Sequence, residues 1–522
     1  MPVVDACGFL LLQIPTELVN RYFIMKNKLI QTLMLLIGSA AFLSGGNGAA
    51  TANVADNSKC EGYVRVSKKN PRYFELTTGK PYIPCGMNIC FPRFLTDEAA
   101  VLADYEKKFK AMSEAGGNYA RIWLSAPFWE IEDSKQGEYN PEKLARIDKL
   151  FDLADKYGIR LKLCFENFIY LSEQKKFFTF NSAPPFDKQQ YLKSNGGSFE
   201  STKEFFTTQK GRDVFLARCK VFSDRYKNRK CVFGWELWNE SWCIQCEWDM
   251  GERINILKKW HAEMLPKVKE LFPNHLVMIS MPSFDRYPPR AAYVPLIPDP
   301  NNDVAQVHNY MNEGDALPVC KGPTDIMCAD AVNELRKIAP DKPLLLAEVG
   351  AAEPNHVGGP SRYYQADTDG ILHTDQMLVP FFCGSAGSGM SWHWEYYITK
   401  HNLWESFARL SKAVEGINPL KEDFKPLYME TPNLRVYVIV GKKTVLAYCR
   451  DKNSWWGTEL RDKQPPKPVV GESVKLFDIC GYGAKKAAVF QPYELKWQDV
   501  EIKNNAIQLP PFLRSAVVKI VF

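Results

Sequence analysis

A chain of 522 residues is too long for one ordinary core and fits one large domain with a smaller companion, or two to four standard domains. With 46% hydrophobic and 24% charged residues it has a globular composition, which excludes a disordered or membrane-embedded chain. A net charge of +6 without a basic stripe argues against a nucleic-acid partner, and the 13% aromatic content suits ligand stacking as well as core packing.

The N-terminus has the organisation of an export leader. From Met25, a positive start (Lys26, Lys28) precedes an apolar run from Leu29 to Leu43, and Ala50-Thr51-Ala52 forms an A-x-A site. Cleavage near Ala52 and export to the periplasm or the exterior are expected, with residues 1–24 as an upstream extension. The apolar run is too short for a membrane span, so none is expected in the mature protein. Of the 14 cysteines, most fall in apolar runs where a thiol behaves as a small hydrophobe. Cys243 and Cys246 form a lone C-x-x-C without a second pair, weak grounds for zinc and compatible with a disulfide or free thiols.

A small hairpin turning at Thr78-Gly79 comes next, and from residue 80 short apolar runs alternate with amphipathic stretches. The predicted strands are 82–90, 118–125, 160–168, 231–240, 276–282, 303–310, 343–350 and 389–396. The predicted helices are 97–115, 141–157, 201–227, 251–271, an irregular stretch near 285–299, then 324–339, 368–382 and 404–415. Near-continuous apolar strands alternating with helices imply a parallel sheet with right-handed crossovers, and eight such units predict a (β/α)8 TIM barrel. The segment 169–200 after the third strand is longer than an ordinary βα loop and is expected to wall a pocket. After residue 425 the pattern changes to short alternating strands, which predicts a C-terminal antiparallel β-sandwich. The expected division is 1–52 leader, 60–420 barrel with its N-terminal hairpin, and 426–522 sandwich.

Residues at the C-terminal ends of barrel strands face the site. They are Asn88, Arg121 and Trp123, Glu166 and Asn167, Asn239 and Glu240, His308 and Tyr310, Glu348, and Trp392. Carboxylates end strands four and seven. Two carboxyl groups facing one another suit glycoside hydrolysis, one protonated and giving its proton to the leaving oxygen, the other ionised and attacking the anomeric carbon. The seven histidines never fall in H-E-x-x-H spacing, and neither a metal nor another cofactor is expected. Glu236 lies four residues before Glu240 on the same face, but only Glu240 ends the strand; Glu353 competes with Glu348 from a loop. Strict alternation points Asn239 away from the site, so a local break is needed to turn it inward.

The stretches "WELWNE", "HNY", "LLLAEVG" and "MSWHW", ending or forming strands four, six, seven and eight, resemble the retaining β-glycosidases of clan A, and most of all glycoside hydrolase family 5. The resemblance covers residues 80–415. It implies that Glu240 is the general acid/base and Glu348 the nucleophile, that Asn239 binds the sugar 2-hydroxyl, and that Arg121 and Tyr310 keep the nucleophile ionised. It places His308 in contact with the site and Trp392 beneath the reacting sugar, and likens the C-terminal segment to accessory β-domains. Where many members end strand three with His, this chain has Glu166 and Asn167, expected to contact substrate together with Asn88. The implied activity is retaining hydrolysis of a β-linked poly- or oligosaccharide of mannan or glucan type. The alternatives are an inverting hydrolase and a carbohydrate-binding protein on an inactive barrel. Endo or exo action and oligomeric state are not legible in the sequence.

Overall fold

The computed structural model describes residues 58–173, 191–282, 284–287, 289–354, 359–475, 484, 486–504 and 506–522. The expected leader, its cleavage near Ala52 and much of the insertion after the third strand lie outside the described residues. No described helix is long and apolar enough to cross a membrane.

Seven of the predicted barrel strands are present: β1 (Gly86–Asn88), β2 (Tyr119–Trp123), β3 (Arg160–Asn167), β4 (Val232–Asn239), β5 (Leu276–Met278), β6 (Ala305–Met311) and β7 (Leu344–Ala351). The first five pair in parallel in chain order, and β6 pairs in parallel with β7. Between β5 and β6 the link is local: Asp303 N donates to Val277 O at 3.0 Å and Ile279 N to Asn302 Oδ1 at 3.1 Å. The predicted eighth strand shrinks to one residue, Ser391, bridged in parallel to both Met87 of β1 and Val349 of β7. Beyond it the chain winds into a π-turn over Glu395–Thr399, so the aromatic run that suggests a strand there serves a helical turn.

The helices follow local chemistry. Asn140 caps Pro141–Tyr157 by accepting from Glu142 N and Lys143 N, Pro141 presets the first turn, and Gly158 ends the helix at φ 70°. The predicted helix 201–227 is instead two, Thr202–Thr207 and Gln209–Tyr226, because Thr208 is extended and caps the second through Gly211 N. A Cβ on Gly211 would lie 1.8 Å from Phe205 O, so the tight corner requires glycine.

The hairpin before β1 has strands Val64–Val66, Phe74–Leu76 and Pro81–Tyr82. Phe74 meets Phe233, at the start of β4, edge-on at 5.1 Å. At the other end of the chain a six-stranded antiparallel sheet runs in the spatial order 425–430, 434–440, 444–451, 515–521, 486–491, 496–500, facing a three-stranded sheet of 473–474, 506–508 and 502–503. Strand alternation sorts its side chains. Val436, Val438, Ala447, Cys449 and Val518 pack with Val474 and Ile507 of the small sheet, while Tyr437, Ile439, Leu446, Tyr448 and Val517 join the large core under the helices. Strand 425–430 begins before the expected boundary.

Two buried ion pairs fasten the large sheet. Arg435 donates to Asp325 at 2.5 and 3.0 Å, and Arg450 Nε donates to Asp375 Oδ1 at 2.8 Å. Tyr437 and Tyr448 hydroxyls complete the same two carboxylates. All twelve cysteines among the described residues are free thiols, including Cys243 and Cys246, which are half-buried while the other ten are buried.

Candidate active site

β2, β3, β4, β6 and β7 each send a charged or polar side chain into one buried network. Its hub is Arg121, fully buried on β2. Its Nε donates to Glu236 Oε2 at 2.8 Å, Nη2 to Asn239 Oδ1 at 2.7 Å, and Nη1 to Asn88 Oδ1 at 3.2 Å and also to Glu348 Oε1. Lys162 Nζ lies 2.8 Å from Glu236 Oε1, and Gln306 bridges Lys162 and Glu236. Burial alone would raise the Glu236 carboxyl, but the Arg121 and Lys162 cations overcome it and hold Glu236 well below the ordinary carboxylate range. Glu236 is thus the permanent counter-ion of the network.

Glu348 and Glu240 sit differently. Glu348 Oε2 accepts the Tyr310 hydroxyl at 2.5 Å while Oε1 accepts from Arg121. Burial lifts its pKa above the ordinary value, opposed by the Arg121 charge and the Tyr310 and Arg121 hydrogen bonds. Among the described residues Glu240 has no cationic partner in contact. Its Oε1 lies 2.6 Å from His308 Nδ1, and burial followed by the Glu348 charge pushes its carboxyl well above the ordinary range. His308 is itself held neutral by burial, its pKa well below the usual value, with Nε2 3.3 Å from Ser280 Oγ. The proton shared by the two carboxyls therefore belongs on Glu240, and with it there the network is balanced: Arg121 and Lys162 against Glu236 and Glu348.

Glu240, His308 and Glu348 each present one donor atom within 4.8 Å of the others. That set could hold a metal ion, but a cation there would face the Arg121 guanidinium across Glu348 and would require Glu240 to ionise. The same distance brings the two carboxyl groups within reach of one sugar carbon and its substituent oxygen.

The local break that Asn239 requires is present. Glu240 has φ 50° and ψ 49°, a left-handed conformation uncommon for a non-glycine residue, and the chain turns at once into Ser241–Cys243. Asn239, the last residue before this break, reaches Arg121 with its oxygen, while its buried Nδ2 has no hydrogen-bond partner among the described residues.

Of the ten residues expected at the site, Glu240, Glu348, Asn239, Arg121, His308 and Tyr310 form this network. Trp392 lies close by, buried, its ring 5.4 Å from Trp123 and 5.1 Å from Trp394. Asn88 is engaged in structure: its Nδ2 donates to Ala347 O and Met390 O at 3.1 and 2.9 Å. Glu166 and Asn167 are drawn elsewhere. Arg218 of the neighbouring helix and the Tyr191 hydroxyl take Glu166, whose carboxyl burial pushes up to about 8, and Asn167 bonds Ser125 and Ile169 N. Lys162 and Gln306, which complete the network, escape the sequence reading because it collects only strand ends. Their signal is a lysine and a glutamine inside apolar strand runs, where only a buried partner makes them affordable.

Residues 79–368 match the family model described as Cellulase (glycosyl hydrolase family 5). Among similar proteins, "Probable mannan endo-1,4-beta-mannosidase F" of Aspergillus oryzae is 27% identical over 191 residues, 34% of this chain and 36% of that protein. "Mannan endo-1,4-beta-mannosidase 5" of Solanum lycopersicum is 26% identical over 251 residues, 46% of this chain and 56% of that one. The chain thus spans between about a third and about a half of the length of these relatives. A glycoside hydrolase family 5 structure from Bacteroides vulgatus shares the fold at a TM-score of 0.56 and 12% identity, covering 88% of this chain and 93% of that one.

Proposed function

The chain belongs to glycosyl hydrolase family 5, and from that premise we propose that it is a retaining β-glycoside hydrolase built on a (β/α)8 barrel, cleaving β-1,4-linked mannan by double displacement. The observation that carries this reading is the approach of the Glu240 and Glu348 donor atoms to within 4.8 Å. Retaining enzymes hold their carboxyls about 5–5.5 Å apart, whereas inverting ones keep about 6.5–9.5 Å for a water between them.

The pKa directions of the two carboxyls support the following roles. Glu240, carrying the proton, donates it to the glycosidic oxygen as the bond to the leaving sugar breaks. Glu348 Oε2 or Oε1, ionised, forms the bond to the anomeric carbon, giving a covalent glycosyl-enzyme. Glu240, now a carboxylate, takes a proton from water, which attacks the same carbon and releases Glu348. His308 steadies Glu240 in both states because it is neutral and can accept at Nδ1 or donate there. Arg121 and Tyr310 fix the nucleophile, and Asn239 Nδ2 is available to the 2-hydroxyl beside the reacting carbon. Trp392 offers an apolar face to the ring. The mannan assignment rests on the names of the similar proteins, and export on the leader of residues 25–52.

The test is hydrolysis of β-mannan, β-glucans and aryl β-glycosides by the mature protein, with product anomers followed by NMR. Retention of configuration, and loss of activity in both Glu240→Gln and Glu348→Gln, is expected. Inversion of configuration, or undiminished activity in Glu348→Gln, would overturn the assignment.

A further inference from the structure

The C-terminal sheet touches the strand ring at more than its ion-paired face. Between strands 444–451 and 473–474 the chain makes a turn through Trp455, Trp456 and the π-helical residues Gly457–Arg461. Trp456 is buried, and its side chain engages two loops at once. Its Nε1 donates to Gly322 O at 2.8 Å, in the loop that follows β6, and its ring lies 4.9 Å from that of Tyr363, in the loop that follows β7. Those two strands carry Tyr310 and Glu348.

Each loop is tied back to its strand beside the reacting groups. In the β6 loop, Asn312 N donates to Cys320 O at 3.0 Å, and Cys320 Sγ lies 3.8 Å from Asn309 Oδ1; Asn309 and Asn312 bracket Tyr310. In the β7 loop, Tyr363 is followed by Tyr364, whose hydroxyl accepts from Ala351 N at 2.6 Å, three residues beyond Glu348. Tyr364 stacks on Tyr397 at 4.1 Å and lies 5.5 Å from His393. A Cβ on Gly350 would come within 3.1 Å of Tyr364 Oη and 3.2 Å of Tyr310 Cε1, so those two rings meet over the bare backbone of β7. The loops also bond each other, Tyr363 Oη donating to Glu313 and Asn312 Nδ2 to Glu353 O.

We infer that Trp456 is a positioning residue for the Tyr310–Glu348 pair: by engaging both the β6 and β7 loops, it clamps them together and thereby sets the hydrogen bond on the proposed nucleophile. The kinetic arm of the test rests on the proposed glycosidase function, and the exchange arm does not.

The experiment uses the full chain with Trp456→Ala, Trp456→Phe and, as a control on the edge strand 496–500 of the sheet, Trp497→Ala, whose indole N–H bonds Lys412 O. Loosening the clamp weakens the Tyr310 bond that lowers the Glu348 pKa, so Trp456→Ala is expected to lose about tenfold in kcat with KM nearly unchanged, a misplacement effect. Its acid limb should move to higher pH, Trp456→Phe should recover part of the loss by restoring ring contact with Tyr363, and Trp497→Ala should match the wild type. Backbone amide exchange at Ala351 and Tyr364 should quicken in Trp456→Ala alone. If Trp456→Ala folds with unchanged kcat, acid limb and exchange, the inference fails. If the wild type hydrolyses no glycoside, the proposed function fails and the exchange result still decides the clamp. If Trp456→Ala does not fold, a Trp456→Phe enzyme identical to the wild type in acid limb and exchange overturns the inference.

Discussion

Glu236 within β4 and Glu240 immediately after its end, four residues apart, occupy opposite electrostatic worlds: the first is gripped by Arg121 and Lys162, while among the described residues the carboxyl of the second bonds a neutral imidazole. A single strand and the residue after it thus supply both the fixed anion that keeps Arg121 in place and the carboxyl proposed as proton donor.

Replacing Glu236 with Gln leaves two buried cations short of a counter-ion. A loss of about 3–5 kcal/mol in unfolding free energy at pH 7 is expected, by urea titration. Because the folded Glu236 pKa is depressed, its contribution is complete above the unfolded carboxyl pKa and is lost as pH falls through the folded one. The gap between wild type and Glu236→Gln should therefore narrow on acidification. A gap that widens as pH falls would contradict the ion-pair account.

The pH profile of kcat/KM should be bell-shaped, with Glu348 ionisation on the acid limb and Glu240 deprotonation on the basic limb. The Tyr310 hydroxyl lowers the Glu348 pKa, so Tyr310→Phe removes a stabiliser of the anion and raises that pKa. Its acid limb is expected to shift to higher pH while the basic limb changes less. A downward shift would mean that Tyr310 serves the protonated form.

In the proposed mechanism Glu240→Ala deletes the acid and leaves the Arg121 and Tyr310 contacts of Glu348 in place. Its turnover of mannan should fall by about 10²–10⁴-fold, the usual worth of general catalysis, while aryl glycosides whose leaving groups need no proton should form the glycosyl-enzyme at nearly wild-type rate. Mass spectrometry of the trapped intermediate reads this directly. Equal loss on both substrate types would remove Glu240 from the acid role.

Asp375 is the carboxylate beneath Arg450 and Tyr448, where the sheet meets helix Ile371–Phe382. Asp375→Ala strands a buried guanidinium, and a loss of about 3–5 kcal/mol in stability is expected from calorimetry or denaturant unfolding. Unfolding in two separated steps, in place of one lowered transition, would show that sheet and ring are energetically independent.

The parts legible in the sequence are those where one local rule decides. β4, β6 and β7 read as apolar runs ending in polar residues because burial on both faces leaves no alternation to confuse, and helix Pro141–Tyr157 carries both of its caps in the sequence. The eighth strand misled because Trp392, Trp394 and Tyr396 are as aromatic as a core strand, while the chain beyond Ser391 leaves the sheet and winds into the turn at Glu395–Thr399. Strand 486–491 is hard to read in the sequence, its short "KAAVFQ" pattern only partly buried. At the site, the residue types at strand ends identified six members of the network. Glu166 could not be sorted from sequence, because its fate depends on Arg218, some fifty residues away on an outer helix. The reach of Asn239 to Arg121 and the left-handed backbone of Glu240 beside it are not encoded by spacing rules.

Asn88 has one further meaning. Its amide reaches Ala347 O and Met390 O, 259 and 302 residues further along the chain, at the seam where the beginning and end of the strand ring meet. A ribosome delivers β1 long before Met390 or Ser391 exists, so the emerging chain must wait with its first strand's edge unpaired on that side. The same amide that later orients Arg121 is therefore among the last to find its partners during synthesis. The interval before ring closure is when the nascent protein has most need of protection from its neighbours.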